Sequence, residues 1–254
     1  MSEVEALVQV FDTAHALADA AAELVVGRAA AAIALSGRFT LVLSGGTTPR
    51  QLYTRLASRP SRDRIDWEHV HLFWGDERCV PPTDAASNYR MARETLIDHV
   101  PIPAPHVSRI KGEDDPVFAA AEYARTLRAA LGEGATAETT TGPDLVLLGL
   151  GSDGHTASLF PHKTAPRETT RWVVAEEVAV PPTWRVTVTP PFVNKARSVL
   201  FLVAGSEKAG TLGAVLEGPV VLEALPAQRI APRGRSPLWM VDRAAARLLA
   251  ERQR

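Results

Sequence analysis

The sequence predicts a three-layer α/β fold in which helices flank a mainly parallel central sheet. Apolar runs typical of buried strands alternate along the whole chain with segments that carry helix start and stop signals. Two of these runs lead directly into glycine-rich stretches, at 44–49 and 149–161, which is typical of the loops that bind ligands in such folds. Since no internal repeat or linker interrupts this alternation, we expect residues 1–254 to form one domain.

The composition is that of an ordinary globular protein. With 254 residues, 46% of them hydrophobic, the chain can bury a large core without disulfides. Its 28 basic and 29 acidic residues leave almost no net charge, so we expect neither a nucleic acid nor a membrane as partner. Asp19, Glu23 and Arg28 interrupt the apolar segment near 14–35, which predicts an amphipathic helix and not a bilayer span. A single cysteine, Cys79, and the lack of signal-peptide features predict a cytoplasmic protein.

The first elements form a strand, a glycine loop and a helix. A helix capped by Asp12 or Thr13 is predicted to end near Ser36-Gly37, and Phe39–Leu43 then form a strand. The loop Ser44-Gly45-Gly46-Thr47-Thr48-Pro49 follows, with Pro49 in the first turn of the next helix. Backbone N–H groups of such a loop favour an anion, although a simple tight turn explains the pattern about equally well. It is not a Walker loop, because the Lys-Ser/Thr pair is missing.

The second strand, Val70–Trp74, leads into a cluster of charged residues, Gly75-Asp76-Glu77-Arg78. Ligands bind at this end of parallel strands, but a solvated loop with a surface ion pair is an equally weighted alternative. Ser87 and Asp115-Pro116 are predicted to begin two further helices, the second ending at Leu131-Gly132. The polar residues between 132 and 142 are interpreted as a surface loop and not as a domain boundary.

The apolar run Asp144–Leu148 leads into the most distinctive stretch, Gly149-Leu150-Gly151-Ser152-Asp153-Gly154-His155-Thr156-Ala157-Ser158-Leu159-Phe160-Pro161. Its glycines match the dinucleotide fingerprint G-x-G-x-x-G, and they equally fit a tight catalytic turn. A dinucleotide fingerprint must open a helix, whereas here a proline follows within seven residues. We therefore favour the catalytic turn.

His155 is the candidate general base of this turn. Imidazole titrates near neutrality and is suited to activating water, and Asp153 can orient it or cap the turn backbone. His162 is a weaker candidate for the same role, and Cys79 is interpreted as a small buried residue rather than a nucleophile. Neither a G-x-S-x-G elbow nor an H-E-x-x-H or paired-cysteine pattern occurs, so we expect no serine triad and no metal.

The second half of the chain continues the alternation. Strands are predicted at Arg171–Ala175, Arg185–Thr189, Ser198–Val203 and Leu238–Val241. Ser206 is predicted to cap a helix over Glu207–Leu216, which places Lys208 in its first turn; a cation opposes the helix dipole there, so a bound anion would help explain it. Asp242 is predicted to cap a terminal helix whose inward residues are Ala244, Leu248 and Leu249.

Taken together, these motifs resemble the 6-phosphogluconolactonase family of the pentose phosphate pathway. The matching residues are Leu43–Pro49, Trp74–Arg78, Ser87-Asn88-Tyr89, Gly149–Pro161, and Arg185–Thr189 with Asn194. The wider superfamily has a Rossmann-like sheet without a dinucleotide and includes glucosamine-6-phosphate deaminase. The deaminase motif also has Asp-Gly-His but continues with an Asn-Glu-Pro-like stretch, where this chain has Leu159-Phe160-Pro161.

The resemblance implies hydrolysis of 6-phospho-D-glucono-1,5-lactone, a small sugar-phosphate lactone, with no cofactor. His155, Asp153 and Arg78 would be catalytic, with Arg78 or backbone N–H groups stabilising the oxyanion. The substrate would contact Asp76, Lys208 and the loop residues Ser44, Gly45, Gly46 and Thr47, with the phosphate on the loop and on Lys208. Arg185 or Arg78 would supply a further charge to the phosphate. We expect a monomer or a small homo-oligomer.

Overall fold

A computed structural model describes residues 7–132, 142–178 and 183–250. The helices are α1 (Ala14–Ser36), α2 (Thr47–Leu56), α3 (Ser61–Arg64), α4 (Asn88–Thr95), α5 (Pro116–Leu131), α6 (Pro190–Val193) and α7 (Ala209–Leu216). The strands are β1 (Leu7–Phe11), β2 (Phe39–Leu43), β3 (Val70–Trp74), β4 (Asp76–Arg78), β5 (Leu145–Leu148), β6 (Val173–Val178), β7 (Thr183–Val188), β8 (Ser198–Val203) and β9 (Leu238–Asp242). The loop predicted between Gly132 and Gly142 lies outside the described residues.

A six-stranded parallel sheet forms the centre of the fold, in the order β1-β9-β8-β5-β2-β3. Every residue of β2 and of β5 is buried. Burial on both faces explains why these strands are continuous apolar runs without alternation. The predicted fold class, a mainly parallel central sheet flanked by helices, is confirmed.

The strand order changes direction at β2. The chain places β3 on one side of β2, whereas β5, β8 and β9 follow one another on the other side. The loops after β2 and β5 therefore diverge and leave a crevice at the carboxyl ends of the strands, where open α/β sheets bind ligands. These are the two glycine-rich loops that the sequence singles out.

A second, antiparallel sheet has the order β4-β7-β6. Gly75 joins it to the parallel sheet, since its N–H donates to Leu43 at 2.8 Å and its carbonyl accepts from Val188 at 2.8 Å. The sequence places Asp76-Glu77-Arg78 at the end of β3 without predicting that they form a strand of their own. Because β4 pairs with β7, this charged stretch is held in place and is not a free loop.

The predicted helix caps at Thr13, Ser87 and Asp115 are confirmed. Their side-chain oxygens accept hydrogen bonds from backbone N–H groups of the first turn of α1, α4 and α5, at 3.0 to 3.1 Å. Gly37 ends α1 with a φ of 73°. In the described parts of the chain, no helix is both long and apolar enough to cross a membrane.

Two expectations in the C-terminal part of the chain are wrong, and one strand was not predicted. Ser206 makes no capping hydrogen bond: residues Ser206–Lys208 form a 3₁₀ turn after Gly205, and α7 begins only at Ala209. Asp242 does accept the N–H of Ala245 at 2.7 Å, but it begins a single 3₁₀ turn in which Leu248 is exposed. β1, a half-exposed edge strand that pairs with β9, was not predicted from the sequence.

Candidate active site

A cavity of about 300 Å³ lies in the crevice between the loops that follow β2 and β5. It brings together eight residues predicted from the sequence: Ser44, Gly45, Gly46, Thr47, Asp76, Arg78, His155 and Lys208. These residues come from four separate strand ends. The predicted convergence at one edge of the sheet is therefore observed.

His155 and Asp153 form a hydrogen-bonded pair in the turn after β5. Nδ1 of His155 lies 2.5 Å from Oδ1 of Asp153, and the same oxygen accepts the His155 backbone N–H at 3.1 Å. Partial burial opposes ionisation of Asp153, but its hydrogen bonds and its attraction to His155 outweigh this and lower the pKa of the carboxyl. The carboxylate thus fixes one ring nitrogen, while the ring borders the cavity.

Close packing explains why this turn needs a glycine at position 151. A Cβ there would lie 2.1 Å from Nδ1 of His155, so any side chain would expel the imidazole. The turn is tied to later parts of the chain by two hydrogen bonds, from Thr211 Oγ1 to the Ser152 carbonyl at 2.6 Å and from the Ala227 N–H to the Gly154 carbonyl at 3.1 Å. The helix that follows Lys208 therefore also supports the turn that carries His155.

Two buried tyrosines fix the strand ends that enter the site. Tyr53 accepts the N–H of Ser44 at 2.9 Å and donates to the Ser44 carbonyl at 2.7 Å. Tyr123 does the same to Trp74, at 2.7 and 3.0 Å. Burial raises the pKa of both phenols, so each remains a neutral donor. Tyr53 thereby holds the loop predicted to bind phosphate.

The adjacent acids Asp76 and Glu77 are both buried and serve as hydrogen-bond acceptors. Asp76 Oδ2 accepts the hydroxyl of Ser158 at 2.7 Å, which links β4 to the loop that carries His155. Glu77 accepts the Ser87 hydroxyl and the backbone N–H groups of Arg78, Asn88 and Tyr89, at 2.7 to 3.0 Å. Burial raises the pKa of Glu77 against the opposing effect of these bonds. Glu77 therefore fixes the start of α4 beside the cavity.

Arg78 and Arg185 are cross-strand neighbours on β4 and β7. Arg78 lines the cavity and donates Nη1 to the carbonyl of Ala86 at 2.7 Å. Arg185 instead lines an adjoining cavity, which Arg78 and Cys79 also line. Burial and the neighbouring guanidinium of Arg78 lower the pKa of Arg185. Of the two arginines, Arg78 is thus the one on the wall of the candidate site.

Neither His162 nor Cys79 gains support as a catalytic residue of the site. His162 is exposed and does not line the cavity, which leaves His155 as the histidine of the site. Burial raises the pKa of the Cys79 thiol to about 11, so Cys79 is a poor nucleophile, as expected. In the ranges that the structure describes, no group of three or more His, Cys, Asp or Glu side chains is arranged to hold a metal ion.

Two polar residues of the cavity wall outside the two glycine-rich loops, Asn88 and Glu207, were not predicted from the sequence. Asn88 belongs to the Ser87-Asn88-Tyr89 motif, which was interpreted as a helix start and as a family match without a role for Asn88 itself. Its place in the site depends on hydrogen bonds to Asp76 and Glu77, which lie more than ten residues earlier in the chain. Glu207 precedes Lys208, so the charged pair itself was the only available signal.

Comparison with protein families gives one match, over residues 12–239, to the family described as glucosamine-6-phosphate isomerases/6-phosphogluconolactonase. A protein of Nostoc sp. named 6-phosphogluconolactonase is 38% identical over 239 residues, which are 94% of this chain and 96% of the relative.

Solved structures of similar fold include 6-phosphogluconolactonase from Trypanosoma cruzi, with a TM-score of 0.83 and 28% identity over 97% of this chain and 98% of that one. A monomeric glucosamine-6-phosphate deaminase has a TM-score of 0.80 at 19% identity, over 95% of this chain and 99% of that one. The deaminase likeness concerns the fold alone.

Proposed function

This chain belongs to the glucosamine-6-phosphate isomerase/6-phosphogluconolactonase family, and we propose that it hydrolyses a lactone by means of a water molecule activated by His155. The reaction is the conversion of 6-phospho-D-glucono-1,5-lactone to 6-phospho-D-gluconate, the second step of the oxidative pentose phosphate pathway. It makes the chain a carboxylic ester hydrolase.

The His155–Asp153 pair at the cavity wall is the observation that carries the mechanism. Since Nδ1 faces the carboxylate, Nδ1 holds the proton and Nε2 is left as the base. Nε2 removes a proton from water as the water oxygen bonds to the lactone carbonyl carbon. The π electron pair of the carbonyl moves to the carbonyl oxygen, which becomes the oxyanion. This pair re-forms the carbonyl double bond as the bond between the carbonyl carbon and the ring oxygen breaks. His155 then gives its proton to the departing ring oxygen.

In the proposed mechanism, cations and backbone N–H groups at the cavity stabilise the negative charges of the oxyanion and of the phosphate. Arg78, or backbone N–H groups of the glycine turns, stabilise the oxyanion; removing a good donor typically costs about 10²- to 10³-fold in rate. The phosphate lies on the loop Ser44–Thr47 and is neutralised by Lys208. Arg185 adds a charge from β7, beside Arg78, and Asp76 borders the sugar.

The competing chemistry within the same fold is sugar-phosphate deamination. In the deaminase of the wider superfamily a glutamate follows the Asp-Gly-His turn, whereas Leu159 and Phe160 stand at the corresponding place here. Leu159 is an apolar, fully buried side chain, so this position offers no carboxylate for the ring-opening chemistry. The local residues therefore favour lactone hydrolysis.

The deciding experiment compares turnover of two substrates by the purified chain. Freshly generated 6-phosphogluconolactone is expected to disappear faster than by its spontaneous hydrolysis, and glucosamine 6-phosphate is expected to release no ammonia. Ammonia release would favour the deaminase. Protection of the chain against thermal unfolding by 6-phosphogluconate, without turnover of either substrate, would indicate a binding module.

The proposal also includes a cytoplasmic location and a monomeric or small homo-oligomeric state. The location is supported by the single half-buried thiol at Cys79, which needs no oxidising compartment. Fractionation of cells and light scattering of the purified chain test these two points separately.

A further inference from the structure

Asn88 is a buried residue of the cavity wall that the proposed mechanism leaves without a role. It is the first residue of α4, is 4% exposed, and lies between the loop at Gly45 and the carboxylate of Asp76. A Cβ on Gly45 would lie 2.1 Å from Oδ1 of Asn88. The glycine at position 45 is therefore needed to let this amide reach the cavity.

The orientation of the Asn88 amide follows from chemistry. Its nitrogen lies 3.0 Å from the Asp76 backbone carbonyl oxygen and 3.3 Å from Asp76 Oδ1. A backbone carbonyl oxygen and a carboxylate oxygen accept hydrogen bonds and do not donate them. The donor end must face Asp76, so the carbonyl end, Oδ1, faces Gly45. Oδ1 accepts no hydrogen bond from any residue that the structure describes.

The backbone of Asn88 is fixed as firmly as its side chain. Its N–H donates to Oε1 of Glu77 at 2.7 Å, and Glu77 binds the N–H of Tyr89 as well. The adjacent acids of β4 thus hold Asn88 from two directions. A preorganised side chain of this kind loses little conformational entropy when it binds a ligand.

The position of Asn88 also fits the substrate. The phosphate is proposed to lie on the loop that Asn88 touches, and the lactone carbonyl at His155; Asp76, the partner of Asn88, contacts Ser158 in the loop that carries His155. A side chain between the phosphate end and the carbonyl end of the cavity therefore contacts the sugar ring. The ring presents hydroxyl donors, whereas the groups assigned to the phosphate are themselves donors.

We infer that Oδ1 of Asn88 accepts a hydrogen bond from a ring hydroxyl of the lactone and so selects for a polyhydroxylated substrate. This inference rests on the proposed function. A site that hydrogen-bonds a hydroxyl rejects the analogue that lacks it, because its own polar group is then left unpaired.

The test measures kcat/KM for the parent lactone and for its 2-, 3- and 4-deoxy forms. For at least one deoxy form, the wild-type chain is expected to lose about tenfold or more, the equivalent of one well-formed hydrogen bond. In Asn88→Ala the same hydroxyl should no longer matter, so the ratio between parent and deoxy form should fall to within about twofold of unity. A structural role alone would lower both rates together and leave this ratio unchanged.

Ser158→Ala is the control variant, because it removes the other side-chain hydrogen bond to Asp76 and leaves Oδ1 of Asn88 in place. It should retain the discrimination that Asn88→Ala loses; loss of the ratio in Ser158→Ala as well would overturn the inference. If Asn88→Ala does not fold, the wild-type ratios for the three deoxy forms and the ratio in Ser158→Ala still test the inference.

The failures of the two proposals look different. If the wild-type chain hydrolyses the parent lactone but treats all three deoxy forms alike, the role of Asn88 is wrong and the proposed function stands. If the wild-type chain does not hydrolyse the parent lactone, the proposed function is wrong and the role of Asn88 fails with it.

Discussion

One oxygen of Asp153 binds His155 twice, at 2.5 Å from ring Nδ1 and at 3.1 Å from the backbone N–H. The two contacts fix the tautomer and the direction of the ring together. The carboxylate is half exposed, and its lowered pKa keeps it ionised at pH values where an ordinary aspartate begins to protonate. Asp153 can therefore position His155 throughout the neutral range.

Asp153→Asn should lower kcat/KM at pH 7 by at least about tenfold, since an amide can present the wrong end to Nδ1. Circular dichroism at the same pH checks that the variant is folded. A variant with wild-type kcat/KM would show that His155 needs no orienting carboxylate.

The difference in the free energy of unfolding between wild type and Asp153→Asn should depend on pH. Because the folded pKa of Asp153 lies below its unfolded value, its contribution to the free energy of unfolding is present above about pH 4 and is lost as the pH falls through the folded value. Urea unfolding should find Asp153→Asn less stable than wild type at pH 7, with the difference shrinking below about pH 4. A difference that grows on acidification would contradict this assignment.

Tyr53→Phe should weaken phosphate binding. Loss of the hydroxyl leaves the buried N–H and carbonyl of Ser44 unpaired, at a cost of about 2–4 kcal/mol in the free energy of unfolding, and loosens the loop. Tyr123→Phe is the matched control, because it removes the same pair of bonds at Trp74. Inhibition by inorganic phosphate should weaken in Tyr53→Phe more than in Tyr123→Phe; equal weakening would indicate a general loss of stability.

Lys208→Ala should raise KM for the lactone by about tenfold or more, which is the effect of losing a hydrogen bond to a charged group. Lys163, which lies outside the cavity lining, provides the control variant Lys163→Ala. The difference between the two variants should shrink in high salt, because screening weakens the attraction that Lys208 supplies. Equal KM values for the two variants at low salt would remove Lys208 from the site.

Strong local signals made much of the fold predictable. The central strands β2, β5 and β8 are mostly apolar runs because both faces are buried, and the caps at Thr13, Ser87 and Asp115 use local hydrogen bonds that a sequence reveals directly. The edge strand β1 gives a weaker signal because it is half exposed. Ser206 has the right residue type for a cap, but the chain tightens into a 3₁₀ turn there.

The site was predictable where its residues follow buried strands. Ser44, Asp76 and His155 meet because parallel strands end at one edge of the sheet. Asn88 was missed because its position depends on the turn at Gly75 and on β4, which pairs with a strand more than a hundred residues later. Arg185 was predicted beside the substrate, but it lines the adjoining cavity, and of the two paired arginines only Arg78 also lines the candidate site.

The central claim is that His155 activates water, and the most direct measurement is the rate of acid release from fresh 6-phosphogluconolactone by wild type and His155→Ala at pH 7. A general base typically contributes about 10²- to 10⁴-fold, so the variant should lose at least about a hundredfold in kcat while remaining folded. Full activity of folded His155→Ala would contradict the claim and move the base elsewhere in the cavity.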